Sequence, residues 1–153
     1  MAIAPYRRNA AGIFFKQSGE ILVAERIDAP GAWQFPQGGV DDGETVEAAF
    51  AREMWEELGL GPETYEVIEQ RGGYRYRFPP EHRKRDRWIG QEQTYFKALF
   101  LATDNAVRLD GHSREFSDWK WINPADFRID WVIDFKRDTY RSVFFDFFAV
   151  ELE

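Results

Sequence analysis

The chain has 153 residues and no cysteine, which excludes disulfides and thiolate metal sites and suits a single domain spanning residues 1–153. A net charge of -7, with 31% charged residues and a mean hydropathy of -0.55, argues against a double-stranded DNA partner held by bulk electrostatics. The start, MAIAPYRRNAAG, carries no apolar secretion core and no long uncharged apolar run follows, so a cytoplasmic protein without a membrane partner is expected.

In chain order, NAAGIFFK (9–16) reads as a strand, Gln17-Ser18-Gly19-Glu20 as a turn, and Ile21–Ile27 as the second strand of a hairpin. A loop at 28–31 leads to a short extended segment, Trp33-Gln34-Phe35, stopped by Pro36. Gly38-Gly39 is expected to make a tight turn into a helix over Thr45–Leu58, ended by Gly59. Tyr65–Gln70 follows as a strand. Arg71–Trp88 is expected as a flap that Pro79-Pro80 keeps irregular. The run QTYFKALFLA (93–102) has strong strand composition, and FSDWKWI (116–122) alternates as another strand. From Asp130, the spacing of Trp131, Phe135, Val143, Phe144, Phe147 and Phe148 predicts a closing amphipathic helix. Strands separated by two helices imply an α/β fold, an α/β/α sandwich with a mixed sheet between helices.

The helix at 45–58 carries the chemistry. At 3.6 residues per turn, Glu53, Glu56 and Glu57 share one face, and like charges four apart cost a helix roughly 0.2–0.5 kcal/mol per pair. Val46, Phe50, Met54 and Leu58 form its apolar stripe, with Glu53 and Glu57 at the edge of that stripe and Arg52 and Trp55 on the far side. Acids bordering a buried stripe bound a cleft, and a divalent cation would relieve their repulsion; the plain alternative is a solvated charged face. Arg52 in turn could simply pair with Glu56 along the helix.

Charge is unevenly placed. Residues 71–87 hold seven basic side chains (Arg71, Arg75, Arg77, Arg83, Lys84, Arg85, Arg87) against Glu81 and Asp86, a balance of +5 that leaves -12 for the remainder. An acidic body with one basic, aromatic-interleaved segment suits a locally bound polyanion bridged to carboxylates by metal ions. The chain has no phosphate-binding GxxxxGK[ST] loop, no dinucleotide fingerprint and no serine nucleophile elbow, and His82 and His112 are read as bystanders. What remains is an oxygen-ligand site for a hard cation such as Mg²⁺ or Mn²⁺.

The stretch 38–60, GGVDDGETVEAAFAREMWEELGL, matches the Nudix box at every defined position: Gly38, Glu44, Arg52-Glu53-Met54, Glu56-Glu57 and Gly59-Leu60. Outside it, YRRN (6–9), WQFPQGG (33–39), RYRFP (75–79), IGQEQ (89–93), EFSDWKW (115–121) and FKRDTYR (135–141) resemble the bacterial RNA pyrophosphohydrolase and dinucleoside polyphosphate hydrolase branch of that family.

The resemblance implies an α/β/α enzyme using Mg²⁺ or Mn²⁺, two or more ions. Glu53, Glu56, Glu57, Glu115 and the Gly38 backbone would hold them, Glu44 would complete the loop, and Arg52 would orient a helix carboxylate. Glu115 or a helix glutamate would accept the proton of the attacking water. Phosphate and base contacts would fall on Arg7, Arg26, Tyr76, Gln91, Phe135 and Lys136. Arg8 stands where the branch has proline, so the choice between Arg7 and Arg8 is open, and Phe135 suits either core packing or base stacking. The expected substrate is 5′-triphosphorylated RNA, with diadenosine tetra- or pentaphosphate as the alternative and a binding module without turnover as a third reading.

Overall fold

The computed structural model describes residues 5–82, 88–111 and 114–153. Seven strands form one mixed sheet: β1 (Tyr6–Phe15), β2 (Ile21–Arg26), β3 (Trp33–Gln34), β4 (Gln37–Gly39), β5 (Tyr65–Arg77), β6 (Gly90–Phe100) and β7 (Phe116–Ile122). The order is β3-β2-β1-β6-β5, with β4 added to β1 and β7 added to β2. β1 and β6 run parallel from Tyr6 opposite Gly90 to Phe15 opposite Leu99, while the other pairs are antiparallel.

Helix α1 (Val46–Leu58) covers one face and helix α2 (Arg137–Phe148) the other. Successive strand residues point to opposite faces, and the core divides accordingly. Ala10, Phe14, Leu22, Ala24 and Phe96 pack with Phe50, Met54 and Leu58 of α1. Their neighbours Ala11, Ile13, Ile21, Val23 and Tyr95 pack with Tyr140, Val143, Phe144 and Phe147 of α2. Both faces of the central strands are dry, so these strands read as continuous apolar runs. This is the expected α/β/α sandwich.

Three local expectations are corrected. Gly38-Gly39 is not a turn: it lies in β4, Gly38 opposite Ala10 and Gly39 opposite Asn9, and the bend falls later, at Gly43 with φ 79°. The segment after Gln70 is not irregular from Arg71. β5 continues to Arg77 through a bulge centred on Gly73 (φ 88°), because antiparallel pairing with β6 satisfies its backbone. The closing helix does not begin at Asp130. Single 3₁₀ turns at Ile129–Trp131 and Asp134–Lys136 precede α2, and Arg137 Nε donates to Val132 O at 2.8 Å across the break. Four cations of the basic segment, Arg83, Lys84, Arg85 and Arg87, lie outside the described residues, as does His112.

Candidate active site

The acidic helix is fixed at both ends. Thr45 Oγ1 accepts the Ala48 N–H at 3.0 Å, and Gly59, at φ 69°, closes the C-terminus by donating to Trp55 O at 3.0 Å. Ala49, Phe50, Met54 and Leu58 anchor the inward side. Glu57 is anchored with them, only 1% exposed. Its Oε1 accepts the Gln37 N–H at 3.3 Å, whereas Oε2 is buried with no hydrogen-bond partner. Burial pushes this carboxyl well above the usual range, reinforced by the neighbouring carboxylates of Glu53 and Glu115.

Arg52 does not stay on the far side with Trp55, which is 60% exposed. The loop 41–44 wraps back and Glu44 draws the guanidinium inward, with Nε to Oε2 at 2.7 Å and Nη2 to Oε1 at 2.9 Å. Nη1 donates to Glu53 at 2.7 Å and to Glu56 at 3.2 Å, and Nη2 also reaches Gly39 O at 2.9 Å. The cation thus spreads over four carboxylates, Asp41 at 3.5 Å being the fourth, and the main chain of β4. It holds Glu44 down at a pKa of about 2 and raises its own above the ordinary arginine value.

β4 needs glycine for space, not for turning. A Cβ on Gly38 would lie 2.0 Å from the Glu53 carboxyl, and one on Gly39 would lie 2.2 Å from the Arg7 guanidinium. Consecutive residues face opposite ways, so the strand separates Glu53 on one side from Arg7 on the other.

A cavity of about 370 Å³ is lined by Arg26, Asp28, His82, Trp131, Phe135 and Lys136, among others. Phe135 is set against Tyr76 at 5.8 Å, Phe78 at 6.1 Å and His82 at 5.5 Å between ring centroids. The Lys136 ammonium stands 5.4 Å from the Tyr76 ring, and Tyr76 donates its hydroxyl to Gln91 at 2.9 Å. Gln91 lies opposite Arg7 across the parallel β1–β6 pair. Arg26, Phe135 and Lys136 thus line the cavity, Tyr76 packs against Phe135 and Lys136, and Gln91 and Arg7 follow it on β6 and β1. Desolvation, with Arg26 nearby, lowers Lys136 to a pKa of about 8. Desolvation and the Glu53 charge raise the Glu115 carboxyl, while Arg26 and Lys136 pull it back.

The lining residues that escaped the sequence reading include Asp28 and His82. Asp28 makes a bidentate pair with Arg26, at 2.8 Å to Nε and 2.7 Å to Nη2, a contact that an Arg-x-Asp spacing at a strand end can suggest but not locate. His82, read as a bystander, lies against Phe135 because the short turn Pro80–His82 folds it over the cavity, a placement no local pattern encodes. Arg71 and Arg75 have local roles instead: Arg71 pairs with Glu69, and Arg75 pairs with Glu92 at 2.7 Å while covering the Tyr6 ring.

Among the described residues, no three acidic or histidine side chains are already gathered into a metal cage. The donor set nonetheless suits a hard divalent cation. Arg52 ties Glu44, Glu53 and Glu56 to one cation, one buried oxygen of Glu57 has no partner, and Glu53 and Glu115 raise the Glu57 proton affinity, a strain that a bound cation relieves.

Comparison with known proteins agrees with this geometry. The NUDIX domain model matches residues 5–143, and hydrolases of this type generally need divalent metal ions. A protein of Shewanella denitrificans named RNA pyrophosphohydrolase is 40% identical over 148 residues, covering 93% of this chain and 84% of the relative. Among solved structures, the Escherichia coli dihydroneopterin triphosphate pyrophosphohydrolase superposes with a TM-score of 0.66 at 18% identity, covering 94% of this chain and 97% of that one. A Caenorhabditis elegans Ap4A hydrolase binary complex superposes at 0.58 with 23% identity, covering 78% and 82% respectively. At those identities the two structures speak for the fold alone. The domain match over most of the chain, together with a relative at 40% identity along most of its length, shows that this protein belongs to the Nudix hydrolase family.

Proposed function

We propose that this protein is an RNA 5′-pyrophosphohydrolase. Water attacks phosphorus at the bridge between the α- and β-phosphates of a 5′-triphosphate end, the bridging P–O bond breaks, pyrophosphate leaves, and a 5′-monophosphate remains. The carrying observation is the glycine strand β4, which sets the Glu53 carboxyl of the acidic helix on one side and the Arg7 guanidinium on the other.

In this reading Arg7, Arg26, Gln91 and Lys136 hold the phosphate chain, with Tyr76 ordering Gln91. Phe135 supplies a stacking face for a base. Glu115 or a helix glutamate takes the proton of the attacking water. The residues to hold Mg²⁺ or Mn²⁺, two or more ions, are Glu53, Glu56, Glu57, Glu115 and the Gly38 carbonyl. When bound, such ions neutralise phosphate oxygens and lower the pKa of water. Arg52 Nη1 bridges Glu53 and Glu56 and offsets their mutual repulsion. The role belongs in the cytoplasm, where such RNA ends arise. Among the described residues no helix is long and apolar enough to cross a membrane.

The test is a side-by-side assay, with Mg²⁺, of 5′-triphosphorylated RNA and diadenosine tetra- and pentaphosphate, with products resolved. Pyrophosphate released from RNA supports the proposal. Rapid ATP release from the dinucleotides with none from RNA would overturn it in favour of dinucleoside polyphosphate hydrolysis.

A further inference from the structure

A chain of buried polar side chains crosses the sheet beneath the cleft. Tyr95 donates its hydroxyl to Gln93 Oε1 at 2.8 Å; Gln93 Nε2 donates to Asn9 Oδ1 at 3.1 Å; Asn9 Nδ2 donates to Gln37 Oε1. Tyr95 is fully buried, Asn9 is 1% exposed and Gln93 3%. Such groups are ordinarily matched to partners for stability alone, which would leave the direction of the chain without consequence. Here the direction is set. The buried Tyr95 proton needs an acceptor, and Gln93 presents one only through its oxygen, so its NH₂ must face Asn9. The same choice then passes to Asn9 and on to Gln37. Burial also raises the Tyr95 pKa, which keeps that proton in place.

The consequence lies at the open end. Gln37 has its oxygen committed inward, so its half-buried NH₂ is left as a donor, and among the described residues it has no acceptor. Gln37 and Gly39 share one face of β4, the face on which the Arg7 guanidinium lies over Gly39. An anion held by Arg7 thus meets a second, neutral donor two residues along the strand. Had the relay run the other way, Gln37 would offer an oxygen there and repel phosphate.

We propose that Gln37 is a phosphate-binding residue of this cleft, its amide locked donor-outward by the Tyr95–Gln93–Asn9 relay, so that Tyr95 is a positioning residue acting from the core. The proposal rests on the reading of the cleft as a polyphosphate site.

The test combines kinetics with a binding signal that needs no turnover. Gln37→Met should raise KM for 5′-triphosphorylated RNA about three- to tenfold with kcat nearly unchanged, as expected for one lost neutral hydrogen bond. Tyr95→Phe, confirmed folded by its urea midpoint, should raise KM in the same sense, and the double variant should match Gln37→Met alone because both act at one donor. Additive effects, or an unchanged KM in Gln37→Met, would overturn the proposal. In wild-type protein titrated with inorganic triphosphate, the side-chain NH₂ resonances of Gln37 should shift together with the Arg7 Nε–H. A shift at Arg7 with none at Gln37 refutes the relay while leaving the cleft reading intact; no shift at either refutes both.

Discussion

Glu44→Gln isolates the clamp on Arg52 because the amide keeps the side chain's shape and an acceptor for the Asp41 N–H while removing the charge. In the folded protein the Glu44 carboxyl drops from 4.5 to about 2, chiefly through its hydrogen bonds from Arg52. At about 1.36 kcal/mol per pH unit this drop sets a ceiling of about 3 kcal/mol. The side chains are 17% and 28% exposed, so screening by solvent leaves about 1–2 kcal/mol. A depressed folded pKa means that the unfolded chain binds the extra proton first. The stabilisation is therefore complete above about pH 4.5 and is lost as pH falls towards 2. Urea unfolding of wild type and Glu44→Gln at pH 7, 4 and 3 should show a deficit of about 1–2 kcal/mol at pH 7 that closes on acidification. Equal stability at pH 7, or a gap that stays constant down to pH 3, would refute the assignment of Glu44 as the main anchor of Arg52.

Other changes test other parts of the site. Glu57→Gln should abolish turnover and the thermal shift on adding Mg²⁺, yet leave the metal-free protein at least as stable, since it removes a buried carboxyl with an unpartnered oxygen; retained turnover would discard the metal-site assignment. Gly38→Ala should cost at least about tenfold in kcat/KM by displacing the Glu53 carboxyl, read against a circular dichroism spectrum that stays unchanged. Lys136 is a cation below its pKa of about 8 and neutral above it, so KM should rise up to about fivefold between pH 8 and 9 and stay flat in Lys136→Arg. An identical alkaline rise in both proteins would remove Lys136 from phosphate binding.

The sequence carried the layers of this fold well, because burial on both faces writes apolar runs such as Ala10–Phe14 and Ile21–Ala24 that read the same in any context. Helix α1 was equally legible: Thr45 and Gly59 mark its ends, and the glutamates stand at a fixed spacing. The pairing of Arg52 with helix carboxylates follows from the resemblance, but its contact with Glu44 does not, because a helical wheel knows nothing of the loop at 41–44 that pulls the guanidinium across. Gly38-Gly39 was misread for a related reason. Paired glycines signal a turn when their freedom of φ is what matters, but here the missing Cβ atoms are what matters, and that demand comes from Glu53 and Arg7, remote in the chain. Asp28 and His82 depend on how separate loops meet around the cavity, which is tertiary information throughout.

The glycine strand also constrains how such a protein can change. With no side chains at positions 38 and 39, the partition between the arginine compartment and the glutamate compartment is one main chain thick. A protein cation and a protein anion stand a single residue step apart across it. That spacer cannot be widened without forcing Arg7 or Glu53 aside. Variation in substrate therefore has to enter from the far end, where short turns carrying His82, Trp131 and Phe135 can be remodelled without altering the distance over which the reaction is set.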